Sequence, residues 1–93
     1  MVEDLPTDVR TVLEQLFTEG RRALEADDLD TARESVTSAQ SVAANKLPES
    51  ELRGELLHGC ERIAALLDAD GDTEPAAAAE YLAAMERRLA AVE

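Results

Sequence analysis

Apolar residues recur every three or four positions along most of this chain, and no stretch alternates apolar and polar residues with a period of two. The first spacing places side chains on one face of an α-helix, whereas alternation would indicate a half-buried strand. The chain contains only one phenylalanine and one tyrosine, so its core has to consist mainly of leucine, valine and alanine. Such small side chains allow helices to pack closely. The sequence therefore predicts an all-α fold.

Turn signals divide the pattern into four segments, of which the first two form one hairpin. The first helix is predicted from about Pro6 to Ala26 and the second from about Leu29 to Asn45. Asp28 is the expected N-cap of the second helix, and Pro48 enforces a break after it. The apolar stripes comprise Val9, Val12, Leu13, Leu16, Gly20, Ala23 and Leu24 in the first helix, and Leu29, Ala32, Val36, Ala39 and Ala43 in the second.

The other two segments form a second hairpin. The third helix is predicted to begin at the segment PESE and to end near Asp68. The acids of this segment lie at the positive, N-terminal end of the helix dipole. The fourth is predicted to begin near Thr73–Pro75 and to continue almost to Glu93. Its stripe comprises Ala78, Tyr81, Leu82, Met85, Leu89 and Val92. Residues 1–93 fit a single domain, so we expect a four-helix bundle of two antiparallel hairpins.

The charge balance is strongly acidic. Twenty-one Asp and Glu residues oppose nine basic ones, which gives a net charge of −12, and Lys46 is the only lysine. Few lysines with many short acids and much alanine are typical of proteins that work in molar salt, which screens the repulsion between like charges. We interpret the composition as that of a haloarchaeal protein, with an acidic mesophilic protein as the alternative.

Several classes of protein are not expected. No apolar run approaches the roughly 20 residues of a membrane span, and the start MVEDLPTD lacks the regions of a signal peptide. One cysteine cannot form an internal disulfide, which suits a reducing cytoplasm. The basic doublets Arg21-Arg22 and Arg87-Arg88 are flanked by acids, so we expect no nucleic-acid binding. Nucleotide-binding and hydrolase motifs are also missing, and the prediction is a cytoplasmic protein that is not an enzyme.

His58 and Cys60 are the only histidine and the only cysteine, and they lie two positions apart. At 100° per residue Cys60 falls in the middle of the apolar arc of the third helix, while His58 points about 200° away. We therefore predict a buried cysteine and a solvated histidine. Because they face different sides of the helix, they cannot form a catalytic dyad or bind one metal ion together. Gly20 and Gly59 are expected to let a neighbouring helix approach closely.

The connector DADGDTE, residues 68–74, carries oxygen ligands at alternate positions, as in the start of an EF-hand calcium loop. The glycine required by that motif is replaced by Thr73, and the bidentate glutamate is replaced by Ala79. The connector is therefore interpreted as an acidic turn. No metal and no cofactor are expected.

The segment LFTEGRRALEADDLDTARESVTSA resembles a tetratricopeptide repeat. The matching positions are Leu16, Gly20, Asp28, Leu29, Ala32, Val36 and Ala39. The resemblance covers about residues 13–46 and departs from the family at Glu19, Ala23 and Ala44. It implies a closely packed hairpin of that geometry rather than a solenoid, which needs several repeats. The whole chain, including NKLP, LLHGC and EYLAAMERR, also resembles small uncharacterised acidic proteins of halophilic archaea, which implies no activity.

These features predict a small interaction module, an adaptor or scaffold that binds a protein partner or a second copy of itself. Its contact residues are predicted among apolar side chains that lie off the stripes, with packing inside the bundle as the alternative. These candidates are Phe17, Val42, Leu57 and Leu66. A homodimeric structural protein without another partner is the second hypothesis. A small metal-binding or DNA-associated regulator is the third and least favoured.

Overall fold

A computed structural model of the protein describes residues 7–68 and 74–91. These residues form four α-helices, which are α1 (Thr7–Glu25), α2 (Leu29–Lys46), α3 (Glu51–Leu67) and α4 (Pro75–Ala90). No strand occurs in the described ranges, so the predicted all-α class is confirmed. The helices begin and end within a few residues of the predicted positions.

The helices form an antiparallel four-helix bundle in which each packs on two others. α1 and α3 each contact both α2 and α4. The start of α1 lies beside the end of α4, where the Arg10 guanidinium donates to the carbonyl of Ala90 at 3.2 Å. Likewise, Arg53 near the start of α3 donates to the carbonyl of Ala44 near the end of α2. The predicted bundle of antiparallel hairpins is therefore confirmed.

The turn between α1 and α2 is a Schellman motif. The amide of Asp28 donates to the carbonyl of Ala23 at 2.8 Å, and the amide of Asp27 donates to that of Leu24 at 3.1 Å. Asp27 has a φ of 61°, in the left-handed region that glycine usually occupies at this position. The Asp28 carboxylate then accepts from the amide of Thr31 at 3.1 Å, which confirms the predicted N-cap.

Side chains also fix the two ends of α3. The Ser50 hydroxyl accepts from the amide of Arg53 at 3.2 Å and forms the N-cap. At the other end, the guanidinium of Arg33 from α2 donates to the carbonyl of Leu67 at 3.2 Å. Its Nε also lies 3.2 Å from the carboxylate of Asp68. A cation at a helix C-terminus satisfies free carbonyls and interacts favourably with the helix dipole.

The core consists mainly of leucine and alanine, with one phenylalanine, one valine, one cysteine, one isoleucine and one methionine. Its buried hydrophobic members are Leu13, Phe17, Ala23, Leu24, Ala32, Val36, Ala39, Ala43, Leu47, Leu52, Leu56, Cys60, Ile63, Leu67, Ala78, Leu82, Met85 and Leu89. The predicted stripe of α2 is buried apart from Leu29, which is half-buried. Leucine, alanine and valine thus fill the interior as expected from the composition.

Three aromatic or branched residues lie elsewhere than predicted. Phe17 is fully buried, because the stripe of α1 is centred on Leu13, Phe17 and Leu24. Val12 is 40% exposed, since it lies about 100° from Leu13 and at the edge of that stripe. Tyr81 is 36% exposed for the same reason in α4. Val92, also predicted in that stripe, lies outside the described residues.

Two glycines mark close helix contacts, as predicted. A Cβ on Gly20 of α1 would lie 3.3 Å from a methyl group of Leu82 in α4 and 3.6 Å from the Cβ of Ser35 in α2. A Cβ on Gly59 of α3 would overlap the sulfur of Met85 in α4. α4 therefore depends on both glycines for its position.

Candidate functional site

The positions of His58 and Cys60 rule out a shared site. Cys60 is fully buried, and burial raises the pKa of its thiol to about 11. His58 is exposed on the other side of α3. Both placements confirm the sequence prediction. Across residues 7–68 and 74–91, no three His, Cys, Asp or Glu side chains are grouped as a metal site would require.

The predicted acidic turn lies mostly outside the described residues. Asp70, Asp72 and Thr73 lie outside the described residues. Asp68 forms the ion pair with Arg33, so its carboxylate contributes to the end of α3.

The helices of the described ranges include none long and apolar enough to cross a lipid bilayer.

A polar network joins α1 to α4 on one side of the bundle. The half-buried carboxylate of Glu86 accepts from the hydroxyl of Thr18 at 2.9 Å and from Nε of Arg21 at 3.2 Å. The Arg21 guanidinium also lies 3.5 Å from the carboxylate of Glu25. Because these groups satisfy one another, the network positions α4 and leaves little free charge for a ligand.

A groove of about 210 Å³ between α3 and α4, the α3–α4 groove, is the strongest candidate site. Its floor is formed by the buried residues Leu56, Gly59 and Met85. The missing side chain of Gly59 gives the thioether of Met85 its place there. The rim consists of Glu55, His58, Tyr81, Ala84 and Arg88. An apolar floor below a polar rim is the usual arrangement of a recognition surface.

The charges on this rim largely cancel. Nε of Arg88 lies 2.5 Å from the carboxylate of Glu55, so the ion pair closes one side of the groove. Tyr81 stands on another side as a partly exposed aromatic ring. A tyrosine presents a large apolar surface together with one hydrogen-bonding group. The groove can therefore hold an apolar side chain and a neighbouring polar group, but it brings together no activated nucleophile.

Of the four contact residues predicted from the sequence, Phe17 is a correction. Its side chain is fully buried in the core, where no partner can reach it. Val42, Leu57 and Leu66 are half-buried and pack against the core. The alternative to partner contact was that these side chains pack inside the bundle. Phe17 does so.

The structure does not bring the remaining three candidates together. In helical projection Val42 lies on the side of α2 that carries Ser35 towards α1. Leu57 lies on the side of α3 that carries Arg53 towards α2. Leu66 lies on the side of α3 that carries Gly59 towards α4, about two turns beyond Gly59, and it does not line the α3–α4 groove. None of the three lines the groove, and only Leu66 shares a helix face with it.

Tyr81 was predicted in the core and was therefore not among the predicted contact residues. A usable signal was present, since Tyr81 lies about 100° from Leu82 at the edge of its stripe, and its hydroxyl requires a polar neighbour or water. Gly59 was recognised as a contact point. Its partner Met85 could be found only from the packing of α3 on α4.

Fold and groove together define a small antiparallel four-helix bundle with an apolar groove between α3 and α4. Comparison with protein families then identifies the chain more narrowly: a family model described as a domain of unknown function (DUF8101) matches residues 1–91. The chain belongs to this family. Neither the curated proteins nor the solved structures gave a match.

Proposed function

We propose that this protein is a small protein–protein interaction module whose contact site is the α3–α4 groove. The observation that carries the proposal is the position of Tyr81. One of only two aromatic residues in the chain is 36% exposed, and it borders an apolar groove. Tyrosine, methionine and arginine are enriched in protein interfaces, and this groove contains one of each.

The groove favours a partner with an apolar side chain flanked by basic residues. Leu56 and Met85 provide an apolar floor for that side chain. Glu80 lines the adjoining surface beside Tyr81 and belongs to none of the ion pairs among the described residues, whereas Glu55 on the rim is paired with Arg88. Because the net charge is −12, a basic partner would also be attracted at long range.

The ion pairs of the basic residues argue against nucleic-acid binding. The guanidinium groups of Arg21, Arg33 and Arg88 form ion pairs within the chain. Phosphate binding requires cations that are available to the backbone. We assign the protein no catalytic step and no nucleic-acid ligand.

The setting proposed for this module is a cytoplasm with molar salt. The excess of acids over bases and the single lysine support a haloarchaeal origin. The close contact of Gly20 with Ser35 supports a hairpin of tetratricopeptide-like geometry in α1 and α2. This hairpin serves as scaffold, since the groove lies between the other two helices.

The test compares Tyr81→Glu with Ala76→Glu, which makes the same charge change at another exposed position of α4. Immobilised proteins capture partners from a lysate of the source organism in molar KCl, and mass spectrometry identifies them. Calorimetry with the purified partner then measures affinity. We expect Tyr81→Glu to weaken binding by about tenfold or more, while Ala76→Glu does not. A partner that binds both variants equally well would show that the groove is not the contact site.

A further inference from the structure

A second depression lies on the outer side of α4, next to the α3–α4 groove. It measures about 300 Å³ and is lined by Ala77, Glu80, Tyr81 and Ala84. Tyr81 and Ala84 also line the groove, so the two depressions adjoin each other. We call this second depression the α4 hollow.

The α4 hollow has the chemistry of an arginine site. Glu80 is exposed, and its carboxylate belongs to none of the ion pairs among the described residues. An arginine lays its apolar stem on small apolar side chains, pairs its guanidinium with a carboxylate and stacks on an aromatic ring. The two alanines, Glu80 and Tyr81 offer these three kinds of contact in one place.

Arg87 is an arginine that faces the same way as this hollow. At 100° per residue, Glu80 lies about 40° and Arg87 about 60° from Ala84, on the same side of it. Arg87 is exposed and, among the described residues, belongs to no ion pair. In its own chain it lies two turns, or about 10 Å along the helix, beyond Glu80. An arginine from another molecule has to fill the hollow.

A second copy of α4 in antiparallel orientation brings these charges together. Glu80 lies four positions before Ala84, and Arg87 lies three positions after it. If two α4 helices pack antiparallel about Ala84, Glu80 of each copy comes within one residue, about 1.5 Å, of the level of Arg87 in the other. A two-fold axis at Ala84 keeps both residues on the same flank of the interface. Two equivalent Glu80–Arg87 pairs follow.

The contact line of this arrangement consists of alanines. Ala77, Ala84 and Ala91 are seven positions apart, so they lie within about 20° of one another along the outer side of α4. Ala84 faces its own counterpart, and Ala77 faces Ala91 of the other copy. Such small side chains let two helices approach closely, so the long side chains on both flanks reach across.

Tyr81 and Arg88 occupy the other flank. They lie about 60° and 40° from Ala84 on the side towards α3, three positions before it and four after it. The same two-fold axis therefore brings Tyr81 of each copy next to Arg88 of the other. Nε of Arg88 donates to Glu55, and its planar guanidinium can lie over the ring of the other copy at the same time.

We propose that the protein forms a symmetric dimer through antiparallel α4 helices, in which Arg87 of each copy occupies the α4 hollow of the other. α4 contains two glutamates and two arginines, so it has no net charge within a chain of −12. Two copies approach here with little of the repulsion that acts between their acidic surfaces. The dimer rests on the proposed function, because it names a second copy as the partner that contacts Tyr81.

Sedimentation equilibrium in molar KCl tests the dimer. We expect the wild-type protein to be dimeric and Ala84→Glu to raise the dimer dissociation constant by about tenfold or more, since the symmetry places the two new carboxylates against each other. The matched control is Ser41→Glu, which adds the same charge at an exposed position of α2, whose main contacts are with α1 and α3. Circular dichroism verifies that each variant is folded. Equal effects of the two substitutions would overturn the dimer.

A charge exchange tests the arginine site. Glu80→Arg and Arg87→Glu are each expected to weaken the dimer, and the double variant, which has the wild-type net charge, is expected to recover it. The measurement uses the lowest KCl concentration at which the wild type is folded, where screening is weakest. Failure of the double variant to recover would overturn the pairing of Arg87 with Glu80.

The dimer and the proposed function fail in different ways. A wild-type protein that stays monomeric in molar KCl, yet loses a captured partner on Tyr81→Glu, would overturn the dimer and support the proposed function. A dimer that Ala84→Glu breaks and Tyr81→Glu leaves intact would support the pairing of α4 helices and overturn the contact site at Tyr81.

Discussion

At the scale of single residues, Cys60 shows how burial sets reactivity. Its thiol has a pKa raised to about 11 from an ordinary 9.0, because burial disfavours the thiolate. Since the folded pKa lies above the unfolded one, the thiol contributes stability that is fully present below about pH 9 and is lost as the pH rises towards 11. The thiolate is also the reactive form of cysteine.

We therefore expect iodoacetamide to modify folded Cys60 only through unfolded molecules. Near neutral pH the rate of modification should be low and should rise steeply with urea, in step with the loss of helical signal. Mass spectrometry of samples quenched over time measures this rate. A folded protein that reacts as fast as the urea-unfolded chain would contradict the assigned burial.

At the scale of helices, the turn after α1 contains an aspartate where glycine is the common residue. Asp27 holds a φ of 61°, a conformation that costs an L-residue about 1 kcal/mol and glycine little. Asp27→Gly is therefore expected to stabilise the protein by up to about 1 kcal/mol in urea titrations. Asp27→Gly changes both the charge and the backbone strain. Asp27→Asn removes only the charge, because asparagine tolerates this conformation, so it separates the effect of charge from the effect of strain. A destabilised glycine variant would contradict the strain at this position.

The cap of α2 makes a prediction about pH. Hydrogen bonds from the side chain and the amide of Thr31 lower the pKa of Asp28 below its ordinary 3.8. Because the folded pKa is depressed, the charged cap contributes stability above about pH 3.8 and loses it as the pH falls through the folded value. The difference in melting temperature between wild type and Asp28→Ala should thus shrink in acid. A difference in melting temperature that stays constant down to pH 2 would contradict the contribution of the charged cap.

The helices were predictable because their signals are local. The carboxylate of Asp28 caps the helix that follows it directly, and the four-residue spacing of Leu52, Leu56 and Cys60 already defines a buried face. The sequence places Tyr81 at the edge of its stripe, but local signals do not decide whether such a residue reaches solvent. Its exposure depends on how far α4 is rotated against α3, and that rotation is set by the contact of Gly59 with Met85. Long-range packing therefore decides which edge residues reach solvent.

At the scale of the whole molecule, the net charge of −12 opposes the compact state. The Debye length falls from about 30 Å at 0.01 M salt to about 3 Å at 1 M. We therefore expect both helical content and melting temperature to rise from dilute buffer to molar KCl, as followed by circular dichroism. Mild acidification should replace part of the salt effect, because it also removes carboxylate charge. A melting temperature that is independent of KCl would contradict the haloarchaeal interpretation.

The order of the helices around the bundle also has a consequence for folding kinetics. Among the described residues, three of the four main helix contacts join consecutive helices, and the fourth, between α1 and α4, joins distant parts of the chain. Such a topology has a low contact order, which in small helical proteins accompanies folding within about microseconds to milliseconds. The two local hairpins can form before loop closure becomes costly. The hydrogen bonds from Thr18 and Arg21 to Glu86 then belong to the last step, which closes the ring of helices.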